Sequence, residues 1–149
     1  MTNSNGPLVL VVDDEAPIRE FLTRWLRASK YDTMEASNAD AALTVIGERE
    51  PDVVLCDVNM PGHDGLWLME QIRRRFPRVA IVLATANDEV PPAISMRRGV
   101  VDFLVKPFER RAVLAAVSEA LKWRETVAAV PVAPGAQDAL DEWLKGGRK

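Results

Sequence analysis

The sequence has little of what marks several common protein classes. It holds one cysteine, Cys56, so a disulfide framework or a cysteine-based zinc site cannot form within the chain. That composition suits a reducing compartment. It holds one histidine, His63, and a lone imidazole makes no metal site. No apolar run approaches the ~18 residues that a membrane span needs. Residues 1–7 carry neither a basic start nor the apolar stretch of a secretion signal. The expectation is a cytoplasmic protein with no membrane contact. A large excess of one charge is also missing. With 19 basic and 22 acidic residues the net charge is −3, which argues against direct nucleic-acid binding. The balance is uneven, however. Residues 1–75 carry 8 basic and 13 acidic groups, so something in the first half collects carboxylates.

What is present is a chain suited to one domain. It has 149 residues, 48% of them hydrophobic and 28% charged, enough for one core and too little polarity for wholesale disorder. Apolar runs alternate with helical periodicity. Leu8–Val12, Asp32–Ala36, Val53–Cys56, Ala80–Leu83 and Val100–Val105 read as strands. Between them lie helical patterns: Ile18, Phe21, Leu22, Trp25 and Leu26; Ala41, Ala42, Val45 and Ile46; Leu68, Met69, Ile72 and Phe76. Asp14 or Glu15 can cap the first helix, with Pro17 in its first turn, and Asn38 can cap the second. Residues 88–98 read as a helix with Pro91 and Pro92 at its start. Glu109–Arg124 reads as a last helix with Val113, Leu114, Val117 and Leu121 inward. Five strand–helix alternations predict a doubly wound α/β fold: a five-stranded parallel sheet with helices on both faces.

In such a sheet, ligands bind beyond the carboxyl ends of the strands. The first strand ends at Asp13-Asp14, the third at Asp57, the fourth at Thr85 and the fifth at Lys106. Three carboxylates, a hydroxyl and an ammonium therefore converge on one edge. Clustered carboxylates repel unless a cation neutralises them. Mg²⁺ suits the set, because it binds through few carboxylates and keeps waters that a phosphate can displace. A carboxylate beside a metal can attack phosphorus, Lys106 can neutralise phosphoryl charge, and the Thr85 hydroxyl can donate to a phosphoryl oxygen. The set reads as a phosphoryl-transfer site. Each part also has a plainer reading: the acidic pair as a helix cap, Lys106-Pro107 as a turn, Thr85 as a satisfied hydroxyl.

Asp13-Asp14-Glu15, Asp57-Val58-Asn59-Met60-Pro61 with Asp64-Gly65, Thr85-Ala86 and Lys106-Pro107-Phe108 together closely resemble the receiver (phosphoacceptor) domain of bacterial two-component response regulators, the CheY-like family. The resemblance implies a flavodoxin-like strand order 2-1-3-4-5 over residues 8–124. It implies that Asp57 accepts a phosphoryl group from a sensor histidine kinase or phosphotransfer protein. Asp14, Asp57 and the Asn59 backbone carbonyl are then ligands of Mg²⁺, with Asp13 acting through water. Thr85 and the Ala86 amide hold phosphoryl oxygens, and Lys106 pairs with the phosphate. The Lys106–Pro107 bond is expected to be cis, and Phe103 stands where the family has its switch aromatic. The output is a changed surface on the 88–98 helix, the fifth strand and the last helix, read by a protein target or a separate output domain. On this reading the chain is not an enzyme beyond the turnover of its own phosphate.

Two rivals are weaker. An aspartate-nucleophile phosphatase wants a second acid two residues after the nucleophile, where this chain has Asn59. A flavin-binding protein wants a Gly/Ser/Thr-rich loop after the first strand, where this chain has Asp13-Asp14-Glu15. His63 reads as an exposed loop residue and Cys56 as inert packing. The arginine groups 73–75, 97–98 and 110–111 read as solvated faces. Residues 125–137 are expected to be a linker. Residues 138–149 read as a short helical segment or a disordered tail, with Leu140, Trp143 and Leu144 on one face and a homodimer contact as one use for them.

Overall fold

In the computed structural model, residues 6–86 and 100–129 are described. The expected helix over 88–98, the linker beyond residue 129 and the segment 138–149 lie outside them. The chain runs β1 (Leu8–Val12), α1 (Ala16–Ala28), β2 (Asp32–Ala36), α2 (Ala39–Glu48), β3 (Val53–Asp57), α3 (Gly65–Arg75), β4 (Ala80–Thr85), β5 (Val100–Val105) and α4 (Arg110–Ala129). The five strands form one sheet in the order β2-β1-β3-β4-β5, parallel throughout.

The sequence explains which strands sit inside. β1, β3 and β4 are buried along their whole length, as uninterrupted Val/Leu/Ile/Ala runs demand when helices cover both faces. β2 stands at one edge and holds Asp32 and Glu35. β5 stands at the other, with Asp102 exposed; charge on an edge strand discourages pairing with another chain. Alternate residues serve two cores. Leu10, Val12, Val54, Cys56, Ile81 and Leu83 pack with α2 and α3. Val9, Val11, Leu55, Val82, Ala84 and Leu104 pack with α1 and α4.

Two local expectations are corrected. Glu15 occupies the N-cap position of α1, but its side chain makes no capping hydrogen bond. The Asp13 carboxylate serves the turn instead, its Oδ1 accepting the Glu15 N–H at 2.9 Å. The last helix also continues through Ala129, so residues 125–129 of the expected linker are helical. Glu125, Thr126, Val127, Ala128 and Ala129 include no helix breaker; the first one, Pro131, stands two residues further on. Arg124 anchors this end of the helix, donating to Asp52 Oδ1 at 2.8 Å and to the Arg78 carbonyl at 2.6 Å. By contrast, Asn38 caps α2 as expected, accepting the Ala41 N–H at 2.8 Å.

Candidate functional site

Strand register brings the polar residues together. Val12 is level with Cys56, so Asp13 and Asp57 follow side by side on adjacent strands. Asp57 is level with Ala84, and Thr85 with Val105. The Lys106 N–H extends the ladder by donating to the Thr85 carbonyl at 2.8 Å. Alternation then sorts the side chains. Asp13 follows Val9 and Val11, Asp57 follows Val53 and Leu55, and Lys106 follows Leu104, so all three fall on the α1/α4 side. Thr85 follows Ile81 and Leu83 on the α2/α3 side, which it shares with Phe103.

The result is a compact ionic centre. Lys106 Nζ lies 3.1 Å from Asp13 Oδ2, 3.1 Å from Asp57 Oδ2 and 3.8 Å from Glu15 Oε2. The Asp13 and Asp57 side chains are only 3% and 4% exposed. Asp14 is exposed, yet ligand oxygens of Asp13, Asp14 and Asp57 fall within 4.8 Å of one another. Burial raises the Asp57 carboxyl above its ordinary value; hydrogen bonds from Lys106 and the Asn59 N–H offset part of that, and the Asp13 charge adds to it. For Lys106, burial acts to lower the pKa, but hydrogen bonds to Asp57 and Asp13 and the charges of both carry it above the ordinary lysine value. An excess of negative charge around one ammonium, with an exposed carboxylate at the rim, fits a hard divalent cation held by oxygen.

The loop after β3 is fixed around the nearly buried Asp57. The Asn59 N–H donates to Asp57 Oδ1 at 3.1 Å, and Asn59 itself is exposed. Gly62 has φ +77, a left-handed turn that glycine takes at no steric cost. Asp64 caps α3, accepting the Trp67 N–H at 2.9 Å. Gly65 then lets the start of α3 press onto the end of β3: its N–H donates to the Val58 carbonyl at 2.9 Å, and a Cβ there would collide with the Asp57 carbonyl. The Lys106–Pro107 peptide is cis. Ala86 is exposed immediately after Thr85, and Phe103 is half-buried against the α2/α3 core. Cys56 is fully buried, its thiol pKa pushed up by desolvation and then by the neighbouring Asp57 charge, in keeping with an inert packing role.

Two contributors escape sequence reasoning. His63 is half exposed, but its ring stacks on Trp67 with centroids 3.6 Å apart and its Nδ1 lies 3.2 Å from Asp40 Oδ1. His63 lies in the loop before α3, so no helical spacing announces the pair. Arg19 reaches back from α1 to the Asp13 carbonyl at 2.6 Å; nothing in the pattern of the sequence singles it out.

A doubly wound parallel sheet with an acidic, lysine-bridged centre at its carboxyl edge defines the class of the protein. The model of the response regulator receiver domain matches residues 9–143, and the chain belongs to that family of two-component signalling domains. The response regulator protein FleR of Pseudomonas aeruginosa is 42% identical over 107 residues, which are 71% of this chain and 23% of FleR. The structure of NtrX from Brucella abortus superposes with a TM-score of 0.76 at 31% identity, covering 83% of this chain and 28% of that one. Its isolated receiver domain gives 0.71 at 34% identity, covering 76% and 98%. The chain thus spans about a quarter of the length of FleR and of NtrX. The match leaves the phosphatase reading without support. Among the described residues, no helix is long and apolar enough to cross a membrane.

Proposed function

We propose that the chain is a phosphorylation-driven signalling switch that takes its phosphoryl group from a phosphohistidine on a sensor histidine kinase or phosphotransfer protein. One observation carries the reading: Asp57 lies 3.1 Å from Lys106 Nζ, with its ligand oxygen within 4.8 Å of those of Asp13 and Asp14. A carboxylate oxygen of Asp57 attacks phosphorus, the P–N bond to the donor imidazole breaks, and the electron pair leaves with the imidazole. Asp14, Asp57 and the Asn59 carbonyl would hold Mg²⁺, with Asp13 acting through a water, and the ion would supply charge neutralisation for the phosphoryl oxygens. Lys106 then exchanges its Asp57 contact for one to the phosphate, and the Thr85 hydroxyl and Ala86 amide donate to the other oxygens.

Thr85 and Phe103 share a sheet face. Drawing the Thr85 hydroxyl toward phosphate opens space on that face for Phe103 to turn inward. The surface of β5 and its neighbours changes, and a downstream protein, in cytoplasmic signalling, reads the change. The test is chemical. With Mg²⁺ and acetyl phosphate, the protein acquires an acid-stable, base-labile phosphate on Asp57, located by peptide mass spectrometry. Asp57→Asn keeps the shape and removes the nucleophile, so labelling disappears; full labelling of that variant elsewhere refutes the assignment.

A further inference from the structure

We infer that Arg19 is a positioning residue for the cation site: it fixes the peptide joining Asp13 to Asp14 and so aims the Asp14 carboxylate. The inference rests on the receiver reading and adds a residue to it. Asp14 is exposed, so its direction depends on the backbone that carries it. That backbone is held at three points. The Asp13 N–H donates to the Ala36 carbonyl at 3.2 Å. The Glu15 N–H donates to Asp13 Oδ1 at 2.9 Å. The Asp13 carbonyl accepts from Arg19 Nη1 at 2.6 Å. Only the last acts on the Asp13–Asp14 peptide itself, and a planar peptide passes that restraint directly to the Asp14 Cα.

Arg19 is fixed in its turn. Its Nε lies 3.3 Å from Glu35 Oε1 on β2, and its side chain is 18% exposed. The guanidinium thus spans α1, the β1–α1 turn and β2 with two N–H groups in a rigid fork, which a lysine cannot reproduce. Charge alone does not single out an arginine here: a lysine could also pair with Glu35, but it could not hold Glu35 and the Asp13 carbonyl at once from one planar group. α1 also supplies an internal control. Arg27, about two turns further on, makes the same kind of link to β2, its Nε donating to Thr33 Oγ1 at 2.8 Å, far from the acidic pair.

The experiment is calorimetric titration of the full chain with Mg²⁺ alone. Loss of an outer-shell partner weakens metal binding by about tenfold or more, and that rise in Kd is expected for Arg19→Ala. A smaller rise is expected for Arg19→Lys, and wild-type affinity for Arg27→Ala. Removing a cation from the mouth of the site would by charge alone tighten binding, so an unchanged or lower Kd in Arg19→Ala overturns the inference. An equal loss in Arg27→Ala also overturns it, as a general effect of loosening α1. Should Arg19→Ala fail to fold, Arg19→Lys decides: wild-type affinity there is a refutation. Wild-type protein that takes up no Mg²⁺ brings down the receiver reading and this inference with it, a result distinct from the other outcomes.

Discussion

Lys106 Nζ bridges Asp57 and Asp13, 3.1 Å from an oxygen of each. One ammonium therefore serves two nearly buried carboxylates that begin 44 residues apart in the chain, and a third, Glu15, stands 3.8 Å away. The centre is held at the edge of the sheet with more negative than positive charge. That imbalance makes it receptive to a cation and costly to keep without one.

The first consequence is that Asp57→Asn stabilises the Mg²⁺-free protein at neutral pH. Asp57 in the folded chain titrates above its ordinary value of 3.8, chiefly through burial. A carboxyl with a raised folded pKa binds more protons folded than unfolded, so stability falls as pH rises from 3.8 through the raised value. Above that window the ionised group works against folding, and a neutral amide of the same shape does not. Calorimetry should show a higher Tm for the variant at pH 7, a gap that narrows on acidification and again when Mg²⁺ is added to the wild type. A lower Tm at pH 7 contradicts the burial argument.

Lys106→Met should act in the opposite direction. It leaves Asp13 and Asp57, 3% and 4% exposed, with no cation between them. Breaking a buried ion pair on one side costs about 3 kcal/mol. Urea denaturation at pH 7 without Mg²⁺ measures the loss, and saturating Mg²⁺ should recover much of it. Because the folded Lys106 pKa lies above the ordinary 10.5, the wild-type advantage persists through neutral pH and fades only as pH rises through that higher value. A gap insensitive to Mg²⁺ would mean that the ion does not bind between these carboxylates.

Gly65→Ala tests the loop. The new methyl would meet the Asp57 carbonyl and the Val58 Cα, both backbone, so no side chain can swing aside. The start of α3 must lift. Overpacking of this kind costs about 1–3 kcal/mol, and the displaced Asp57 should label more slowly with acetyl phosphate. Unchanged stability and labelling would show that the contact between α3 and β3 is looser than the structure has it.

The fold and most of the site were legible because parallel sheets place all their strand ends on one edge. Each Val/Leu run stops at a polar residue, and Asp13, Asp57, Thr85 and Lys106 are those stops. Register then needed no further information. What could not be read depends on side-chain reach. The Asp13 carboxylate takes the turn that Glu15 was expected to cap. His63, in the loop before α3, finds Trp67 in the first turn of α3 and Asp40 on α2. The extension of α4 to Ala129 follows from continued helix formers and an Arg124 anchor whose partners, Asp52 and Arg78, are remote in sequence.

The switch itself makes the last prediction. Thr85 and Phe103 lie on the α2/α3 face of neighbouring strands, with Leu83 paired to Phe103 and Thr85 to Val105. On the proposed reading a phosphate at Asp57 attracts the Thr85 hydroxyl, and the half-buried Phe103 ring, on the same face of the sheet, follows it. Two arrangements of such a pair must lie within a few kcal/mol for one modification to select between them. Helices α1 and α2 lie further from this trade, because most of their packing is against β1, β2, α3 and α4. Beryllium fluoride with Mg²⁺ imitates the aspartyl phosphate without turnover. Amide hydrogen exchange should then change more across residues 85–106 than across 16–50, and Phe103→Ala should reduce the first change while leaving acetyl phosphate labelling intact. Equal change in both regions would instead describe a general tightening around the bound ion, and the Thr85–Phe103 coupling would have to be abandoned.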